Sequence, residues 1–174
     1  GKIIAENSKM LNPIPSPDYP EYFYGTMHLD KEKTAEDLYI TVEEDATKVD
    51  VLAVHLEPEE GLLSQGREGT LKVENGNVLP DPEQDILYIT VTDRHSGKGL
   101  TGKGFISGFG LKKGAIATST SPDDNNIICI GASVEDMAVA INHLVEIEGG
   151  QVAVEDGKVL ADIPLPVCGL MADI

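Results

Sequence analysis

The sequence predicts an α+β fold: a single domain with a mixed or antiparallel sheet and a few packed helices. Three observations carry that prediction. They are the β-rich run ILYITVT at residues 86–92, hairpin dipeptides at Asn75-Gly76 and Asp156-Gly157, and an amphipathic helix opening at Ser133. Strands and helices do not alternate as βαβ units, which argues against a parallel α/β sheet.

Lys2 to Glu6 reads as one strand ending at Asn7-Ser8. Pro13, Pro15, Pro17 and Pro20 then fall within eight positions, and each removes a backbone donor and restricts its neighbour. Residues 1–25 are therefore expected to be the end of a preceding domain plus a proline-rich linker, with the domain proper over 26–174. A first residue of Gly rather than Met fits a piece of a longer chain. Tyr19, Tyr22, Phe23 and Tyr24 are expected to dock the linker onto a surface.

Thr34-Ala-Glu-Asp37 has the spacing of a capping box opening a short helical turn. Val49 to Leu56 is dense in aliphatic and β-branched residues, as a buried strand would be. Leu71 to Val73 and Val78 to Leu79 flank Asn75-Gly76, which tolerates the left-handed turn of a tight hairpin. Seven glycines between Gly97 and Gly114 imply bends or close backbone approach. Two short apolar runs, Ala115 to Thr120 and Asn126 to Ile130, are separated by the polar loop Ser121-Pro-Asp-Asp-Asn125. Ser133 with Asp136 forms a second capping pair, and Met137, Ala140, Ile141, Leu144 and Ile147 make an apolar stripe. Gly149-Gly150 ends this helix. Gln151 to Glu155 and Lys158 to Ile163 then pair across Asp156-Gly157.

Composition narrows the partners. Thirty Asp plus Glu against 13 Lys plus Arg give a formal charge of −17 over 174 residues. No basic stripe exists to neutralise phosphates, so nucleic acid and anionic membrane surfaces are excluded as partners. An apolar content of 41% is too high for a disordered acidic tail. No run approaches the roughly 20 apolar residues of a membrane span. Cys129 and Cys168 stand far apart in apolar surroundings and read as two buried free thiols, consistent with a cytoplasmic protein.

Four histidines, His28, His55, His95 and His143, lie too far apart in sequence for a metal motif, so no metal ligands are expected in this chain. His55 and His143 read as structural. His95 follows Arg94 at a strand end and precedes the glycine segment, where functional side chains tend to sit. Gly102-Lys103-Gly104 lacks the pattern of a phosphate loop, and Ser119, Thr120 and Ser121 lack a nucleophile elbow. Asp123, Asp124, Asn125 and Asn126 offer acceptors for an amine or a cation. No complete catalytic constellation is present.

The stretches Gly104 to Ala117, Asn126-Ile-Ile128 and Glu135-Asp-Met-Ala138 resemble the carboxyl-terminal region of bacterial and archaeal adenine deaminases. Gly157-Lys-Val-Leu-Ala161 and Pro164-Leu-Pro-Val-Cys-Gly-Leu-Met171 resemble that family's ending, Asp93-Arg94-His95 its Arg-His segment, and residues 1–7 the strand before it. The resemblance implies an amidohydrolase that converts adenine and water to hypoxanthine and ammonia, with a metal-activated water on a TIM-like barrel. A barrel of about 250 residues cannot fit in this chain. The resemblance therefore implies a carboxyl-terminal domain that is inactive alone, with a divalent metal of Mn or Fe type expected in the absent barrel.

For this chain the resemblance implies packing against its own barrel domain, covering the mouth of a purine site, and homo-oligomer contacts. Arg94, His95, Asp123 and Asn126 are the expected substrate-facing residues. One loop departs from the family pattern His-Asp-Ser-His-Asn: Pro122 and Asn125 stand at the two histidine positions, while Asp123 and Asn126 match. Two other functions stay open, a structural, oligomerisation or regulatory module without substrate contact, and a domain binding a purine-like small ligand.

Overall fold

A computed structural model describes residues 1–12, 17–57 and 63–173. The expected prolines at 13 and 15 lie outside the described residues. Asn7 and Ser8 both adopt left-handed φ, of 50° and 60°, and turn the chain back on itself. The expected single amino-terminal strand is thus a small hairpin of β1 (Ala5–Glu6) and β2 (Lys9–Met10), because the turn supplies a pairing partner. Pro20 precedes a 3-10 turn at Glu21–Phe23. The aromatic cluster docks in part: the Tyr24 hydroxyl donates to Asp173 at 2.8 Å and the Phe23 carbonyl accepts from the Cys168 amide, whereas Tyr22 is exposed.

Helix α1 (Ala35–Leu38) begins at the expected capping box, where the Asp37 carboxylate accepts from the Thr34 amide and hydroxyl at 3.0 Å each. The next strands in the chain are β3 (Lys48–Leu56), β4 (Ser64–Glu74), β5 (Asn77–Val78), β6 (Ile86–Thr92), β7 (Thr101–Ser107), β8 (Ala115–Thr118) and β9 (Ile127–Gly131). Helix α2 (Val134–Glu146) and the hairpin β10 (Gly150–Glu155) and β11 (Lys158–Pro164) close the chain. One sheet of nine strands results, in the order β11-β10-β8-β9-β6-β7-β3-β4-β5. Every pairing is antiparallel except β3 with β7, so the sheet is mixed and the fold is α+β, as predicted.

Further elements differ from the sequence expectation, and β4, expected only over Leu71 to Val73, extends back to Ser64. β7 runs through the glycine segment, because β6 and β3 offer hydrogen-bonding edges on both sides. A side chain at Gly104 would make only ordinary contact with Ile89, at 3.7 Å, so pairing rather than close approach shapes this part of the run. The flanking Gly97, Gly99, Gly108, Gly110 and Gly114 do turn, all with left-handed φ. β3 is not a buried strand: Ala53 is in the core, but Leu52 is 68% and Val54 49% exposed on the other face.

The two faces of the sheet differ. One holds the main core, where Met137, Ala140, Ile141 and Leu144 of α2 are fully buried with Tyr88, Ala117, Cys129, Val152 and Val154. The Ser133 hydroxyl caps α2 by accepting from the Asp136 amide at 3.2 Å. The opposite face holds a smaller cluster built on Leu87, Ile106 and Ile130. Among the described residues no helix is long and apolar enough to cross a membrane.

Candidate functional site

One end of the sheet gathers the residues expected from sequence. There β6 and β8 finish, β9 and β10 begin, and the carboxyl-terminal segment passes across. Asp93 shapes the exit of β6 by accepting from the amides of His95 at 2.9 Å and Ser96 at 3.2 Å. Its carboxyl is held below the usual aspartate range, first by the Ser96 hydroxyl and then by those amides.

Arg94 turns inward and is only 2% exposed. Its Nε donates to the Asn125 carbonyl at 2.6 Å, Nη1 to the Thr26 carbonyl and hydroxyl at 3.3 Å each, and Nη2 to the Cys168 carbonyl at 3.0 Å. The guanidinium therefore joins the start of the domain at Thr26, the 121–126 loop and the carboxyl-terminal turn. All of these acceptors are neutral, and burial pulls the arginine below its ordinary pKa. The backbone joins in, since the Arg94 carbonyl accepts from the His28 amide at 2.9 Å and the Arg94 amide donates to Asn126 Oδ1 at 3.4 Å.

His95 is exposed, with Nε2 3.1 Å from the Asp124 carbonyl. Asp123 is exposed in the turn beside it, and Asn126 is half-buried. The residue that organises this loop is Asp124, which sequence reasoning placed in the polar loop without singling out. Its carboxylate accepts from the Asn126 amide at 3.1 Å and side chain at 3.0 Å, and from Ser121 at 3.4 Å. Those bonds, the Asn126 amide first, hold its carboxyl below the usual range. The readable signal was the Asp-x-Asn spacing, in which a side chain closes a turn on the amide two residues on. Buried Ser119 adds a second tie, accepting from the Gly150 amide at 2.7 Å and donating to the Gly169 carbonyl at 2.5 Å.

The remaining polar groups lie elsewhere. His55 pairs with Ser107 at 2.8 Å, and His143 sits between Asp162 at 2.7 Å and Glu146 at 3.1 Å. A cavity of about 830 Å³ is an open groove between residues 27–32 and α2, with His28, Lys31, Asn142 and His143 in its wall. It is not formed by the 121–126 loop. Cys129 is buried, which pushes its thiol up, whereas Cys168 is half-buried rather than buried as expected. It occupies a left-handed turn, φ 58°, whose carbonyl serves Arg94. Among the described residues no three His, Cys, Asp or Glu side chains are placed to hold a metal ion.

The described residues thus form an α+β sheet domain whose loop cluster is clamped from within by Arg94. Residues 62–174 match the family described as adenine deaminase C-terminal domain, and the chain belongs to that family. It is 38% identical over 173 residues to an adenine deaminase of Clostridium botulinum (strain Langeland), covering 99% of this chain and 28% of that protein. It is 46% identical over 142 residues to adenine deaminase 4 of Rhizobium meliloti, covering 81% of this chain and 24% of that protein. An adenine deaminase of Brucella melitensis is 52% identical over 111 residues, 64% of this chain and 19% of its own length. The chain thus spans about a quarter of the length of the curated relatives it matches.

Proposed function

We propose that this chain is the carboxyl-terminal domain of a cytoplasmic, homo-oligomeric adenine-deaminase-type amidohydrolase, in which it packs against a preceding barrel domain and borders the mouth of a purine site. Residues 1–25 are then the tail of that preceding domain and the linker. The observation that carries the reading is the family match together with exposed His95, whose Nε2 lies 3.1 Å from the Asp124 carbonyl in the loop that also exposes Asp123. Asn126, expected to face the substrate, instead has its side-chain amide tied to the Arg94 amide and to Asp124, which leaves the Asp123 carboxylate and the His95 imidazole to hydrogen-bond the edge of a purine. Arg94 and Asp124 act as positioning residues that hold this loop in one shape. In this reading the chain contributes recognition of the base and shielding of the site from water. A divalent metal of Mn or Fe type and the hydrolytic water belong to the barrel in this reading.

The test is ammonia release from adenine by the metal-loaded full-length parent and by this chain alone. The parent is expected to be active and the isolated chain silent. Full-length His95→Ala and Asp123→Ala variants should raise KM for adenine more than they lower kcat. A metal-loaded parent that yields no ammonia rejects the activity.

One observation favours a second reading, a purely structural module: Arg94, expected at the mouth, is buried and bonded internally. In that case the His95 and Asp123 variants leave both kinetic constants unchanged, and only Arg94 variants matter, through folding.

A further inference from the structure

The face of the sheet opposite α2 has a composition that water does not explain. Gly104, Ile89, Ile130, Ile116, Ala153 and Ala161 are register partners in one row across β7, β6, β9, β8, β10 and β11. A neighbouring row runs Val54, Ile106 and Leu87. Neither row contains a polar side chain. An antiparallel sheet with one solvated face normally alternates polar residues outward. Here Leu52 is 68%, Ile163 57%, Val54 49% and Ile116 39% exposed on the outward side. Among the described residues both helices pack on the other side, with α2 against β8, β9 and β10 and α1 against α2.

We propose that the part of the parent polypeptide that precedes this chain docks on this apolar face, with Val54 and Ile116 as buried contacts. The inference rests on the reading that the chain is the carboxyl-terminal domain of a longer enzyme, and it adds the surface that does the packing. Three observations select this occupant. The Clostridium botulinum relative is matched over only 28% of its length, and the matched family is a carboxyl-terminal one, so relatives carry a large preceding region. Asp50 and Glu68 flank Leu52 on this side, with Lys48 and Lys72 at the next positions outward, so a second copy would meet a rim of mixed charge and add the net repulsion of two chains of charge −17. Finally, the adjoining row Val91, Ile128 and Thr118 leads to the end of the sheet that holds His95 and Asp123. An occupant of this face therefore meets those loops at its border. The surface it presents is apolar and uncharged at the centre, with basic side chains facing Asp50 and Glu68.

Maleimide labelling of cysteines placed on this face tests the proposal. Val54→Cys and Ile116→Cys are made in the isolated chain and in the full-length parent, with Glu43→Cys as an exposed control and the unmodified protein setting the background from Cys168. Both face positions should label readily in the isolated chain and roughly tenfold more slowly in the parent, while the control is unchanged. Thermal melts establish that each variant is folded, and either face position suffices if the other fails to fold. Equal rates in chain and parent overturn the proposal. So does slow labelling in an isolated chain whose solution mass is twice 18.6 kDa, since a second copy then holds the face. Labelling does not read ammonia, so a parent inert toward adenine defeats the assigned activity while leaving this footprint intact.

Discussion

Arg94 carries most of the structural weight of the candidate site. Its side chain serves carbonyls of Thr26, Asn125 and Cys168, which lie far apart in sequence, so truncation leaves buried acceptors without a donor. Arg94→Met is expected to cost about 2–4 kcal/mol in urea unfolding. Arg94→Lys should recover little of that, because one ammonium cannot reach acceptors spread around a planar fork. At His143 the geometry sets a pH dependence. Asp162 and then Glu146 hold the imidazole above its ordinary pKa, partly offset by burial. A raised folded-state pKa gives stability that is full below the unfolded value of about 6.5 and lost as pH rises through the folded value. Thermal melts should show this loss on moving upward from about pH 6, and His143→Gln should flatten it. An unchanged pH slope in that variant refutes the assignment.

At the scale of elements, α2 is the part most completely specified by local sequence. Its cap and its apolar stripe agree and found their expected places, while the turn after it begins earlier than expected, since Glu148 already takes a left-handed φ of 61° and Gly150 opens β10. Ser133→Ala should cost about 1 kcal/mol through the lost cap. Met137→Ala should cost about 2–5 kcal/mol, because the side chain is fully buried against the sheet and its loss leaves a cavity. Chemical denaturation of both variants checks the order. The hairpins at Asn75-Gly76 and Asp156-Gly157 were equally legible, since their turns demand residues that accept left-handed φ. β7 and the first part of β4 were not. Ser64 to Thr70 carries little β signal of its own, and its strand exists because β3 lies alongside.

For the whole molecule, charge is the property most open to measurement. Thirty acidic side chains face 13 basic ones, and the ion pairs among the described residues, such as Lys31–Asp37 and Lys113–Glu155, neutralise only part of the excess. Self-repulsion then opposes the compact state, and salt screens it. Raising ionic strength from about 0.01 M to about 0.5 M should lift Tm by a few degrees. A Tm that is flat or falls over that range removes repulsion as a significant term. The same acidity bears on assembly, because any partner of the apolar sheet face must also answer the carboxylates at its rim.

The sequence by itself determined the α+β class, the elements whose local signals agree, the family resemblance and the acidic charge balance. It also marked the 93–95 and 121–126 segments as the places to look, since strand ends and polar loops are readable from composition. Only the tertiary structure decided what those residues do. Arg94 became an internal clamp because the carbonyls it serves meet in space and not in sequence. Asp124 became the organiser of its loop because its carboxylate faces the amide and side chain of Asn126. The uncovered apolar face was invisible for a related reason. Each strand shows an ordinary run of aliphatic residues, and only cross-strand register reveals that they line up on a side that no helix among the described residues covers.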